Sequence, residues 1–239
     1  MYNFRNSKAN VLNILKSPIS IESKKRIPSN EDNFTYENVI SCWVSAIFID
    51  IKNSSVLFKE KNGRLVKILR AFTSELITIF QDLEVYNQIG IRGDCVYAIY
   101  STSSQEDIDM VFDVAIRANT FLKMFNVLLS QQGYEKIEAG IGLGCDKELI
   151  FKAGRSGTGI NDKIWVGKAI VDAANLSSVA NRHGYKCIAM NKTFYLNIKE
   201  KNKFIPFDKI GSKKWFDDVF YQCDVKELAF NKWIDSGMK

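Results

Sequence analysis

The sequence predicts an α+β fold, a ferredoxin-like βαββαβ core with extra strands towards its C-terminal end. Three observations predict it. Apolar runs of strand length and two long segments of helical periodicity follow one another in the order strand, helix, strand, strand, helix, strand. The second and third strands are separated only by the turn at Gly93-Asp94. Hydrophobic residues make up 46% of the 239 positions, enough for a substantial core in one large domain, or in one domain with a short extension.

Residues 1–40 stand apart and are expected to form an N-terminal helical extension and linker. Val11, Leu12, Ile14 and Leu15 suit a short amphipathic helix, and Pro18, Lys24, Lys25, Arg26 and Pro28 suit a linker. A regular pattern then runs over 41–239, the expected main domain. Residues 43–51 read as a buried strand, and 63–83 as a helix with Leu65, Ile68, Leu69, Phe72, Leu76 and Phe80 on one face. Two apolar runs flank Gly93-Asp94 as a hairpin. Residues 105–131 form the second long helix. Residues 137–143 read as a strand with alternating glycine, with Leu149-Ile150-Phe151 as a possible partner strand. A third helix is expected at 168–183, and late strands at 185–190 and 219–226.

Bulk properties exclude several classes. Five cysteines without a Cys-x-x-Cys pair give neither a zinc spacing nor a disulfide framework. The one histidine, His183 beside Gly184, reads as a helix C-cap neighbour, which nearly rules out a serine-histidine triad. The N-terminal residues lack a signal-peptide core, and no apolar run reaches membrane-helix length. A reduced, soluble, cytoplasmic protein without a membrane partner is expected. The net charge of +6 is spread along the chain; it suits a polyanionic small substrate and gives no strong sign of nucleic acid.

Asp50 and Asp94 carry the chemical signal. Each carboxylate ends or interrupts an apolar strand, where an ionised group is costly unless paired. Two such carboxylates converging from separate strands can hold one or two Mg²⁺ ions; the alternative is a strand cap at Asp50 and a turn residue at Asp94. Lys52, Asn53, Ser54 and Ser55 follow Asp50 and lead towards a helix, a setting for holding phosphates. On an extended strand Gly90, Arg92 and Asp94 share a side, so Arg92 can meet a phosphate, a base edge or Asp94 itself. Trp165 is either a core residue or the wall of a base pocket. Residues 152–159 form a basic Gly-rich segment without the Gly-Lys-Ser/Thr ending of a P-loop.

Together these segments resemble the class III nucleotidyl cyclase catalytic domain over about residues 41–226. Phe48-Ile49-Asp50-Ile51 is similar to the segment bearing the first metal aspartate of that family, and Gly93-Asp94 to the second. Gly140-Ile141-Gly142-Leu143-Gly144 resembles the strand after the second long helix. Gly167-Lys168-Ala169-Ile170-Val171-Asp172-Ala173-Ala174-Asn175-Leu176 resembles, without a gap, the helix carrying the family's transition-state asparagine and arginine. The resemblance implies two Mg²⁺ or Mn²⁺ ions per site held by Asp50, Ile51 and Asp94. It also implies a nucleoside triphosphate substrate and a head-to-tail homodimer with its sites at the interface.

The departures are informative. Gly90 stands where adenylate cyclases carry a base-reading lysine, Val171 where they carry the helix asparagine, and Asn175 where they carry the helix arginine. Either the domain is degenerate or it uses another set for another base, and two retained aspartates argue against decay. In this it resembles the pyrimidine cyclases of bacterial Pycsar anti-phage defence, whose cyclic CMP or cyclic UMP activates a separate effector protein. The expected activity is cyclisation of UTP or CTP, with the base left open. The alternatives are an adenylate or guanylate cyclase with rearranged contacts, or a silent nucleotide-binding module. Asn175 and Arg155 are the expected catalytic donors, with Lys152 and Arg182 as further candidates. Lys52, Asn53, Ser54, Ser55, Arg92 and Trp165 are the expected substrate-binding residues.

Overall fold

A computed structural model of the chain describes residues 2–57, 59, 62–155, 158–159, 161–199, 202 and 204–239. The core is β2 (Asn38–Ile51), α3 (Gly63–Gln81), β3 (Tyr86–Arg92), β4 (Cys95–Ser101), α4 (Gln105–Gln131) and β5 (Ala139–Gly154). Its four strands lie in the order β3-β4-β2-β5, all antiparallel, as a βαββαβ split unit requires. Around it stand α1 (Phe4–Lys16), β1 (Ser20–Ser23), the short α2 (Ser54–Leu57), β6 (Asn161–Val166) and α5 (Lys168–Val179). After these come β7 (Ile188–Asn191), α6 (Lys192–Asn197), β8 (Asp208–Ile210), β9 (Phe220–Cys223) and α7 (Leu228–Asp235). Strands β7, β9 and β8 extend the sheet beyond β5, which β7 joins in parallel.

Local chemistry sets the two long helices. Asn62 caps α3 by accepting from the Arg64 and Leu65 N–H groups. Ser104 and Asp107 form a reciprocal capping box at the start of α4. The buried stripe of α3, Ile68, Phe72, Leu76, Ile79 and Phe80, repeats at helical spacing.

The strand period of two then divides the sheet into two working faces. Ile47, Ile49 and Ile51 of β2, Val96, Ala98 and Tyr100 of β4, and Ile141, Leu143 and Cys145 of β5 pack with the buried faces of α3 and α4. The intervening residues face the other way. There Cys42, Val44, Ala46 and Ile99 bury against Ala169 and Ala173 of α5, with Phe48, Tyr97 and Trp165 at the margin. Asp50 follows Phe48 on this second face.

Helix α5 lies unusually close to β5. A Cβ on Gly142 would stand 2.0 Å from the Ala173 carbonyl oxygen, and one on Gly144 would stand 2.0 Å from that of Ala169. The alternating glycines seen in the sequence therefore form the bed of this helix.

Several elements differ from the sequence-based expectation. Residues 137–143 and 149–151 are not two paired strands: 139–154 is one strand, long enough to pair β2, β7 and β6 along its length. Strand β6 is an addition to the expected order, since Asp162, Lys163, Ile164 and Trp165 mix polar and apolar residues at an exposed edge. Helix α5 stops at Val179 rather than 183, where the chain turns at Asn181 and His183, both with positive φ. The stretch read as linker contains β1, paired in parallel with β2, and the buried Ile27 and Phe34. Helix α1 by contrast buries none of its residues.

Candidate active site

The second face of the sheet opens into a cleft of about 570 Å³ between β2, β3, β4, β6 and α5. Asp50, Arg92, Trp165 and Asn175, all singled out from the sequence, line it together with Phe48, Gln88, Tyr97 and Lys163. Each arrives there by a simple rule. Asp50 ends the cleft-facing row of β2; Gln88 and Arg92 lie in register on β3; Trp165 is next to the last residue of the edge strand β6; Asn175 stands on the outer side of α5.

Asp94 sits in the β3–β4 turn, after Gly93, whose φ of 62° suits glycine. It lies next to Cys95, which pairs directly opposite Asp50 in the β2–β4 register. The two carboxylates feel each other. Burial first, then the charge of Asp94, pushes the Asp50 carboxyl above its ordinary value, and Arg182 opposes the rise. The Cys95 thiol is pushed up to about 12 by burial and by both carboxylates.

Arg182 is the local counterion. Its Nη2 donates to Asp50 Oδ2 at 2.8 Å, while Nη1 donates to the carbonyls of Ser177 at 2.9 Å and Ala180 at 3.0 Å. One guanidinium thus closes the end of α5 and pairs with the carboxylate of β2. Among the described residues only one cation, Arg182, is ion-paired with either of the two carboxylates, although Arg92 also lines the cleft, so negative charge remains at this end. That charge fits a divalent ion, with the side chains of Asp50 and Asp94 as ligands. Ile51 has its side chain buried in the α3/α4 core, so only its backbone carbonyl is available to an ion. Among the described residues no group of three or more His, Cys, Asp and Glu side chains forms a metal cage. Mg²⁺ needs none, because one or two carboxylates plus substrate phosphates are a common ligand set.

The remaining expected residues lie elsewhere. Lys52 and Asn53 line a neighbouring cavity of about 340 Å³. The Lys52 ammonium pairs with Glu138 at 2.8 Å, and its backbone N–H donates to the Glu138 carbonyl. Ser54 and Ser55 open the one-turn helix α2. Arg155 is exposed beyond the end of β5 and is not among the residues lining the cleft. Lys152 is on β5 itself, its ammonium 5.8 Å from the Tyr36 ring centre.

The opposite wall carries residues that no sequence motif marks. Trp165 Nε1 donates to Gln88 Oε1 at 2.8 Å, and Gln88 Nε2 donates to Tyr97 Oη at 3.2 Å. The Tyr97 ring stacks on Phe48 with centroids 5.0 Å apart and planes 12° off parallel. A Cβ on Gly90 would lie 2.5 Å from this ring. Tyrosine therefore fills the space above Gly90. The only sequence signal for Gln88 and Tyr97 is their strand parity with Gly90, Arg92 and Asp50.

The cleft thus has paired carboxylates that could take a metal ion at one end and a polar aromatic wall at the other. Two curated relatives share nearly the whole chain. A uridylate cyclase of Treponema porcinum is 40% identical over 99% of this chain and 82% of its own length. A uridylate cyclase of Gulbenkiania mobilis is 28% identical over 99% of this chain and 97% of its own. Among solved structures, the adenylyl cyclase CyaB from P. aeruginosa superposes with a TM-score of 0.66 at 17% identity, over 80% of this chain and 97% of that one. That likeness shows a shared fold. No protein-family model matches the chain.

Proposed function

Since the chain belongs to the uridylate cyclase family and has the class III nucleotidyl cyclase fold, we propose that it cyclises a pyrimidine nucleoside triphosphate, UTP in preference to CTP. The product is the 3′,5′-cyclic monophosphate, and pyrophosphate leaves. The observation that carries this reading is one cleft with Asp50 coupled to Asp94 at one end and the Trp165–Gln88–Tyr97 wall at the other.

Each residue then has a task. Asp50, Asp94 and the Ile51 carbonyl would hold two Mg²⁺ or Mn²⁺ ions. Such ions, when bound, supply the charge that favours deprotonation of the 3′-hydroxyl and neutralises the triphosphate. Lys52 and Asn53 line the neighbouring cavity, with Ser54 and Ser55 next along the chain, and the four would meet the β- and γ-phosphates from that side, Lys52 exchanging Glu138 for phosphate. The 3′-hydroxyl attacks the α-phosphorus in line with the departing pyrophosphate. Charge developing on the α-phosphoryl oxygens needs fixed donors. Asn175 and Lys163 line the cleft and Arg182 stands behind Asp50; Asn175 and Arg155 are assigned to a site shared with a second copy, where they face the Asp50 and Asp94 of that copy.

A head-to-tail homodimer belongs to this proposal. Val171 at the start of α5 lines the cleft and is 56% exposed, and Ile91, Ile164 and Val166 on the bordering strands β3 and β6 are 42–51% exposed on the side turned from it. A second copy seated on this rim would shield the reacting phosphate from water. Residues 1–40 are proposed as an extension on a catalytic domain of 41–239. The cyclic product is proposed as a second messenger for a separate effector protein in antiviral defence. No described helix is long and apolar enough to cross a membrane.

The test is stoichiometry. Purified protein with UTP and Mn²⁺ should yield one cyclic UMP and one pyrophosphate per UTP consumed, by chromatography and a pyrophosphate assay. Release of UDP or UMP, or recovery of all the UTP, would refute cyclisation.

A further inference from the structure

The donor pattern of the cleft wall carries more than a generic base pocket. An indole N–H is a donor only, so Trp165 can bond to Gln88 only through the amide oxygen. That bond fixes which way the Gln88 amide faces, a choice an isolated amide leaves open. Its NH₂ group must then face Tyr97, whose oxygen accepts one of the two hydrogens. A phenol oxygen that accepts keeps its own proton to donate, and no described residue accepts it. Gln88 and Tyr97 both line the cleft, so the hydrogens these bonds leave over, the Tyr97 O–H and the second Gln88 N–H, are the ones available to a ligand there. Both are donors.

We infer that Trp165, Gln88 and Tyr97 form a polarity relay that selects uracil over cytosine by reading the acceptor at C4 of the base. The inference rests on the pyrimidine cyclase reading and goes beyond it by naming the residues and the sign of discrimination. Uracil places a carbonyl oxygen at C4, which accepts from these donors. Cytosine places an amino group there, which meets donor with donor and leaves buried hydrogens unpaired, a costly arrangement. Gln88 and Tyr97 touch the base; Trp165 is a positioning residue that acts through Gln88. Phe48 holds the Tyr97 ring flat, and Gly90 leaves room for it.

The sign can be inverted by design. In Gln88→Glu the carboxylate only accepts, so it should favour the cytosine amino group. In Trp165→Phe the ring remains but the indole donor is gone, so the Gln88 amide can turn and offer its oxygen. Tyr97→Phe removes a donor while keeping the stack on Phe48. Wild type and the three variants are given equimolar UTP and CTP with Mn²⁺, and the ratio of cyclic UMP to cyclic CMP is measured. A ratio within one tube does not depend on the folded fraction, so partial misfolding cannot mimic the result. The ratio should fall on the order of tenfold or more in Trp165→Phe and Tyr97→Phe. In Gln88→Glu it should drop below one. Unchanged ratios in variants that still cyclise UTP would overturn the relay while leaving the pyrimidine reading intact. A wild type that yields only purine cyclic nucleotides from all four triphosphates would overturn both. Should a variant make no product, titration calorimetry with Ca²⁺ gives the ratio of its UTP and CTP affinities. That ratio should shift towards CTP in the same way, and a ratio equal to that of wild type would overturn the relay.

Discussion

Glu148 lets the energetics of the helix that borders the cleft be measured. It stands on β5 with no solvent exposure. Its Oε1 accepts from the Ala169 N–H at the start of α5 at 2.7 Å, and Oε2 has no hydrogen-bond partner. Gly167 makes the room, since a Cβ there would lie 2.5 Å from the carboxyl carbon. Burial lifts the Glu148 carboxyl from 4.5 to about 7, against the α5 N–H groups and with a push from Asp146 and Asp172. The native protein therefore keeps this proton up to about pH 7, while the unfolded chain releases it near 4.5. A raised native value stabilises fully below the unfolded value, and that contribution is lost as pH climbs to the native one. A shift of this size corresponds to about 3 kcal/mol. A glutamine at this position ionises in neither state. In the Glu148→Gln variant the amide keeps the bond to Ala169 but sets a second donor where Oε2 stood, a fixed cost present at every pH. The difference in unfolding free energy between variant and wild type should therefore move in favour of the variant by about 2–3 kcal/mol between about pH 5 and pH 8. Urea unfolding followed by tryptophan fluorescence at the two pH values measures it. Identical pH slopes for the two proteins would refute the buried-carboxyl argument.

Three further outcomes are expected. Gly142→Ala sets a Cβ 2.0 Å from the Ala173 carbonyl oxygen; a loss of about 3 kcal/mol or more is expected on denaturation, because backbone rather than a flexible side chain must move. Asp50→Ala and Asp94→Ala should each abolish cyclisation with Mg²⁺ or Mn²⁺ while far-ultraviolet circular dichroism stays native, and near-wild-type turnover in either would remove the two-carboxylate site. Mixing inactive Asp50→Ala protein with an inactive Asn175→Ala, Arg155→Ala double variant should restore part of the activity, whereas no recovery in a mixture shown to exchange subunits would mean that each chain builds its site alone.

The fold is legible where the pattern is long and regular. Helix α4 over 105–131 and the Gly93 hairpin follow from helical spacing and turn chemistry. The βαββαβ order follows from counting them. The single strand 139–154 is not legible, because its polar stretch at Asp146-Lys147-Glu148 looks like a turn between two strands. In the structure Asp146 Oδ2 and Glu148 Oε1 are spent on capping α5, through the Lys168 and Ala169 N–H groups. At the site, Asp50 and Asp94 announce themselves as charges among apolar residues. Gln88 and Tyr97 do not, because a half-buried glutamine and tyrosine on a sheet have ordinary local sequence. Only register across β3 and β4, and the arrival of Trp165 from a strand 77 residues away, gives them a joint meaning.

The central claim, a cyclase that reads a pyrimidine, is tested most directly by competition. Equimolar ATP, GTP, CTP and UTP are offered together to the purified protein with Mn²⁺, and the cyclic products are quantified by mass spectrometry. The product ratio is then the ratio of catalytic efficiencies. Cyclic UMP should dominate, with cyclic CMP second and the purine products trailing both, since Tyr97 fills the space above Gly90. Cyclic AMP or cyclic GMP as the major product would contradict the account.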